Sequence, residues 1–407
     1  MTLGYLNETE YGIWLTLSSI VTWINFFDIG LGNGLRNKLA EALAQNNKIL
    51  GQEYVSTTVA LLVLIMGSIF LIFIIINPFL DWNKILNVTT ISPYALTKLV
   101  FVIIGFFAIQ FIFKFIGIIL LADQKSSLND LLSTVSSLLS LLIIYLLTCF
   151  TQGNLMYVAI VFLVSPIIIQ LGVGFFLFHG RYYFLRPRFN CIYFKHTKDL
   201  IGMGVQFLIL QISGLIVFTT SNILISRLWG PEKVTPYNIA FKYFNIITML
   251  FSIVLSPMWS AYTHAYCSGD FKWMKKMIKT TSLLWGISVL AVILMMVNAN
   301  FIYTLWVGKS VQIPTSLSYI MGIYTIITNW NNIFSQMLAG VGKIRLSLLN
   351  STFNAIIFIP LALYMGELFG IVGITLAMCI VLLTSSFWQP VQCWKIINQK
   401  ATGLWDR

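Results

Sequence analysis

The sequence predicts an all-α protein embedded in a membrane, and three observations carry that prediction. Of 407 residues, 58% are apolar and 9% are charged, against roughly 25% charged in an ordinary soluble domain. Apolar runs long enough to cross a bilayer as helices, about 20 residues each, recur along nearly the whole chain between short polar breaks. Basic residues gather in every second break, the asymmetry that sets membrane orientation. This composition excludes a water-soluble enzyme. It also gives the net charge of +12 a meaning in membrane sidedness rather than in nucleic-acid binding.

Eleven runs read as spans: residues 11–34, 55–77, 97–121, 129–150, 155–178, 201–226, 237–260, 279–298, 315–339, 347–364 and 370–393. The breaks on one side are 35–54, 122–128, 179–200, 261–278 and 340–346, with the tail from 394. Together with Lys279 at the edge of its span they hold eighteen of the 25 basic residues, whereas the opposite breaks and bordering span ends hold Lys84, Lys98, Arg227, Lys233 and Lys309. The richer side is expected to be cytoplasmic. An odd number of spans then places the C-terminus inside and Met1 outside.

An internal repeat accounts for that start. At a constant offset of 223, Glu10–Trp14 falls on Lys233–Tyr237, Arg36–Asn47 falls on Trp259–Asp270, and the span 55–77 falls on 278–300. The second half carries one further span, 201–226, ahead of its repeat; the counterpart in the first half would precede Met1. The expected organisation is a first lobe over 1–178 lacking its first span, a basic cytoplasmic linker over 179–200, a second lobe over 201–394 and a cytoplasmic tail over 395–407. The complete protein would then have two parallel six-span halves.

Catalytic patterns are missing from the sequence. It holds no HExxH, and Gly342-Lys343 lacks the upstream glycine of a nucleotide-binding loop. Gly30-Leu31-Gly32-Asn33-Gly34 imitates a dinucleotide loop but follows a membrane helix rather than a strand. His179, His196 and His264 lie in or beside cytoplasmic breaks, where solvated or headgroup contacts are expected. The five cysteines form no CxxC and read as reduced and structural. No catalytic residue, metal ligand or cofactor is expected.

Charges inside spans cost at least a few kcal/mol, which makes them candidates for function. Asp28 lies about 25 Å along the first run, near its cytoplasmic end; it either caps and pairs with Arg36 or Lys38, or serves coupling or gating. Lys114 sits about 13 Å from the cytoplasmic end at Asp123, where snorkelling is strained and a cavity is the alternative. Lys242 lies about 8 Å below the outer end of its span; it snorkels or lines an outward-facing cavity. Arg227 ends the preceding span on the same side, so the two could form one cationic mouth. Polar residues along 206–222 (Gln206, Gln211, Ser213, Thr219, Asn222) and along 329–336 (Asn329, Asn331, Asn332, Gln336) must find partners within the protein or in water. Pro166, Pro257 and Pro360 are expected to kink their helices.

At Leu6–Trp14 and Asp28–Ala40, and again at Leu228-Trp229-Gly230-Pro231-Glu232, Tyr237–Lys242 and Pro257 followed by Ser268-Gly269-Asp270, the chain resembles polysaccharide-transporter flippases of the Wzx (O-antigen translocase) type, within the MOP exporter superfamily. The resemblance runs from residue 4 to about 393. It implies a multi-span helical transporter with two six-helix lobes around a central cavity, the first span being absent here. The implied activity is translocation of an undecaprenyl-diphosphate-linked oligosaccharide from the cytoplasmic to the periplasmic leaflet by alternating access, for O-antigen, capsule or exopolysaccharide synthesis. An H+ or Na+ gradient would drive it, in a bacterial inner membrane, with a polysaccharide polymerase and glycosyltransferases as partners.

Under that resemblance Lys114 and Lys242 contact the diphosphate or an anionic sugar, Arg36 and Arg227 act as gate charges on the substrate path, and Asp28 is the coupling or gating residue. Two competing readings remain. A drug/cation antiporter of the same fold calls for acidic cavity residues, and only Asp28 qualifies. An integral-membrane polymerase or glycosyltransferase would show a large charged outer loop, whereas 78–96 carries only Asp81 and Lys84.

Overall fold

The computed structural model describes residues 5–6, 13–14, 17–18, 30–86, 91–230, 233–308 and 312–406. Among them there is no strand, and the chain divides into two compact units, Met1–Val205 and Gln206–Arg407. Nine helices of the described residues are long and apolar enough to cross a membrane. The protein is an integral membrane protein built from helices.

The first unit holds α1 (Leu31–Ala44), α2 (Lys48–Ile76), α3 (Pro93–Phe113), α4 (Phe115–Ala122), α5 (Ser126–Phe150) and α6 (Leu155–His179). The starts of α2 and α3 have a local cause. Asn47 and Ser92 accept hydrogen bonds from the third residue beyond, and Pro93 supplies a first helical turn that needs no N–H. In α1, Leu31, Leu35 and Leu39 recur at four-residue spacing and are all but inaccessible to solvent, so this face packs into the core, while the helix, at 14 residues, is too short to be a span. The 97–121 run is interrupted at Lys114, which separates α3 from α4.

The expected linker is ordered. Its segment 181–196 lies along the first three turns of α2: Gln52 donates to the Arg186 carbonyl at 2.8 Å, and the Arg188 and Tyr193 amides donate to Ser56 and Thr57. Glu53 faces His196 at 2.9 Å, whose ring lies 4.8 Å from that of Tyr54. His196 is therefore half-buried, not solvated. Asp123 gathers Lys125, Arg181 and the Tyr182 hydroxyl, the last at 2.6 Å.

The second unit begins within α7 (Thr197–Trp229) and continues through α8 (Val234–Leu255), α9 (Met258–Cys267), α10 (Phe271–Val307), α11 (Thr315–Val341), α12 (Arg345–Phe369) and α13 (Ile371–Ile397). Pro257 ends α8 and opens α9, but α12 runs on through Pro360, as α6 does through Pro166. The 315–339 run forms the 27-residue helix α11, which is less apolar than the nine. Ser318, Thr325, Asn329 and Asn331 dilute its hydropathy, and all four are buried. Asn331 donates to the Leu382 carbonyl at 2.9 Å and accepts from Ser386 at 2.8 Å, which ties α11 to α13. Such bonds hold helices together where burial against lipid supplies no drive.

The sequence offset of 223 recurs in the backbone. Asn46 and Gly269 both take positive φ, and Asn47 and Asp270 both cap the helix that follows, accepting from Leu50 and Trp273. The chain reversals match as well: the Asn46 and Asn47 amides donate to Leu43 and Ala42, and those of Gly269 and Asp270 to Tyr266 and Ala265. Each unit thus carries the same short helix, left-handed turn and capped long helix.

Candidate functional site

A polar cleft with a volume of 710 Å³ lies between α7 and α8. Its wall on α7 is Asn222, Ile223, Ser226 and Arg227, and on α8 Val234, Thr235, Asn238, Ile239 and Lys242. Both sets follow the i, i+1, i+4, i+5 pattern of one helix face. The opposite faces hold the helices in place: Leu224, Ile225, Tyr237 and Ala240 are buried in the core, and the Tyr237 hydroxyl donates to the Met378 sulfur at 3.4 Å. Within the cleft the Asn238 side-chain amide donates to the Asn222 side-chain oxygen Oδ1 at 2.9 Å and to the Val234 backbone carbonyl, locking the two helices at this level.

Among the described residues the lining carries two cations, Arg227 and Lys242, and no carboxylate. Both side chains are exposed. Arg227 lies in the last turn of α7, where the helix dipole favours a cation. With the Asn, Ser and Thr groups as neutral donors, the cleft is equipped to hold an anion and repels a cation.

The other expected residues lie elsewhere. Lys114 occupies the break between α3 and α4, half-buried, with its ammonium 5.5 Å from the Phe111 ring centre. Arg36 is buried on α1, where desolvation pushes its pKa down to about 10; it stays cationic at neutral pH. Neither lines the cleft. Asp28 lies outside the described residues. Sequence reasoning paired Arg227 with Lys242 but missed the Asn222–Asn238 bond. The readable signal was the spacing: Asn238 and Lys242, like Asn222 and Arg227, lie about one and a half turns or less apart on one helix face.

The described residues contain no group of three or more His, Cys, Asp or Glu side chains placed to hold a metal ion. The five cysteines are free thiols.

Comparison with known proteins follows the same lines. The family model described as "Polysaccharide biosynthesis protein" matches residues 4–262, and the model described as "MatE" matches 191–364. A Salmonella typhimurium (strain LT2) protein named "Putative O-antigen transporter" is 23% identical over 395 residues, covering 95% of this chain and 89% of its own. A Yersinia pseudotuberculosis protein named "Putative O-antigen export protein" is 23% identical over 412 residues, with the same coverage of both chains. Among solved structures, a MATE in the straight conformation superposes with a TM-score of 0.78 at 15% identity, over 97% of this chain and 90% of that one. An outward-facing multidrug resistance MATE family transporter of the MOP superfamily gives 0.77 at 16% identity, over 96% and 91%. The chain has the MATE fold, and by its match over residues 4–262 it belongs to the polysaccharide biosynthesis protein family.

Proposed function

We propose that this chain is a flippase that moves an undecaprenyl-diphosphate-linked oligosaccharide from the cytoplasmic to the periplasmic leaflet by alternating access. The observation that carries the reading is the charge of the α7–α8 cleft: among its described lining residues there are two cations, six polar side chains in all, and no carboxylate. A diphosphate is the anion that such a lining suits, since arginine offers a planar fork and lysine a mobile point charge. The O-antigen names of the relatives and their family support the same cargo. A cationic drug would meet repulsion in this cleft, which favours the flippase over the antiporter.

In this reading Lys242 and Arg227 engage the diphosphate or an anionic sugar, and Lys114 and Arg36 serve the path through the first unit. Asp28 couples transport to H+ or Na+. The lobes correspond to 1–178 and 201–394 joined by the 179–200 linker. The chain sits in the bacterial inner membrane with its C-terminus cytoplasmic, next to polymerase and glycosyltransferases.

The test is leaflet-resolved accumulation of the lipid-linked oligosaccharide in cells deleted for the gene. Wild type should relieve accumulation on the cytoplasmic face, and Lys242→Ala or Arg227→Ala should not. Unchanged lipid pools with lost drug resistance would overturn the proposal in favour of an antiporter.

A further inference from the structure

The four lysines Lys272, Lys275, Lys276 and Lys279 occupy positions i, i+3, i+4 and i+7 of α10, hence one face of its first two turns, and all four are exposed. Like charges at this spacing repel, and this end of a helix disfavours cations. The one acidic residue beside them, Asp270, has an oxygen committed to the Trp273 amide. The stripe is therefore held against local stability.

The internal repeat says what this face is for. At the offset of 223 the four lysines correspond to Ile49, Gln52, Glu53 and Ser56 of α2. There Gln52, Glu53 and Ser56 receive the chain's own strap, through the Arg186 carbonyl, His196 and the Arg188 amide. Among the described residues the matching face of the second unit carries no strap, and cations stand in place of the neutral and acidic residues.

The helix itself identifies the occupant. Beyond Lys276 and Lys279 the same stripe continues at steps of three and four through Leu283, Ile287, Leu290, Leu294, Val297 and Phe301, every one exposed. Beside it a groove of 120 Å³ is lined by Lys275, Ile278, Phe334 and Trp394. Cations that run without a break into an exposed apolar stripe match a phospholipid, headgroup first and chains after. An acidic protein would leave the apolar stripe unmatched. We propose that this face of α10 binds an anionic phospholipid, with the phosphate on the lysine stripe and acyl chains along Leu283–Phe301 and the adjoining groove.

The test is native mass spectrometry of the whole purified protein with phosphatidylglycerol or phosphatidylcholine of identical chains. The wild type should retain phosphatidylglycerol preferentially, and the variant with Lys272, Lys275, Lys276 and Lys279 all changed to Gln should bind it at least about tenfold more weakly, since each cation at the headgroup level contributes a factor of about five before screening. Phosphatidylcholine binding should be equal in the two. If wild type shows no preference for phosphatidylglycerol, the lysines act only in setting membrane orientation and the proposal falls. It falls equally if the variant keeps the full preference, or if an acidic protein binds the wild type and displaces no lipid. Should the fourfold variant fail to insert, the lipid preference of wild type in low and high salt still decides: a preference that survives 1 M salt unchanged is not held by exposed lysines.

Discussion

Gly340 offers a direct test of how the second unit is packed. It lies on α11 where that helix crosses α9, and a Cβ placed there would stand 2.3 Å from the Trp259 carbonyl oxygen and 3.1 Å from the Tyr262 Cβ. Ordinary contact begins near 3.5 Å, so Gly340→Ala requires the helices to part by about 1 Å. The Thr263 hydroxyl donates to the Gly340 carbonyl at 2.7 Å across this crossing. Moving apart by that amount leaves it beyond hydrogen-bond reach. Overpacking of this kind costs about 1–3 kcal/mol, and an interhelical bond in a membrane about 0.6–1.7 kcal/mol. Gly340→Ala should therefore destabilise by ~2–4 kcal/mol, seen as a fall in Tm on the order of 5–15 °C by fluorescence-detected size exclusion of the heated, detergent-solubilised protein. Thr263→Val loses the hydrogen bond alone and should fall by about a third as much. The double variant should lose less than the sum, because Gly340→Ala has already broken the bond that Thr263→Val removes. Gly340→Ala with an unchanged Tm, or strict additivity, would refute the close crossing of α9 and α11.

The cleft makes a graded prediction: Lys242→Arg should retain translocation, whereas Lys242→Ala should lower flux by about ten- to hundredfold, the range of one lost charge-assisted hydrogen bond; leaflet-resolved lipid analysis reads both. Asn238→Leu breaks the bond to Asn222 and should cost about 1 kcal/mol, read as a Tm fall that Asn222→Leu does not deepen. In the first unit, burial and the hydrogen bond to Asp123 hold the Tyr182 pKa well above the usual phenol value. Its neutral form is favoured in the folded state, so this contribution is full below about pH 10 and fades as pH rises past it; Tyr182→Phe should abolish that alkaline loss in a Tm-against-pH series. Finally, Asp270→Ala and Asn47→Ala remove equivalent caps and should each cost about 1 kcal/mol, detectable as matching Tm shifts.

Sequence alone determined the helical, membrane-embedded class, because the length of an apolar run and the scarcity of charge are local properties that a bilayer reads directly. It also determined the repeat: the left-handed turn at Asn46 and Gly269 and the caps at Asn47 and Asp270 depend on residues within a few positions of one another. Arg227 and Lys242 could be paired for the same reason, since a short connection joins the two helix ends that carry them. What only tertiary structure decided is where distant surfaces meet. The 315–339 run reads from the sequence as a span like the others, but the bonds of its Asn331 to Leu382 and Ser386 of α13 are not legible there, since no local pattern names a partner some fifty residues away. The 181–196 strap reads from the sequence as part of a basic cytoplasmic linker; that Glu53 and Ser56, 132 or more residues earlier, hold it to α2 is a tertiary fact. The bare counterpart of that face on α10 became visible only with the strap in view. Lys114 breaks a helix in the first unit while Lys242 lines a cleft in the second; the sequence gives both the same surroundings, an ammonium amid apolar residues, and packing alone distinguishes them.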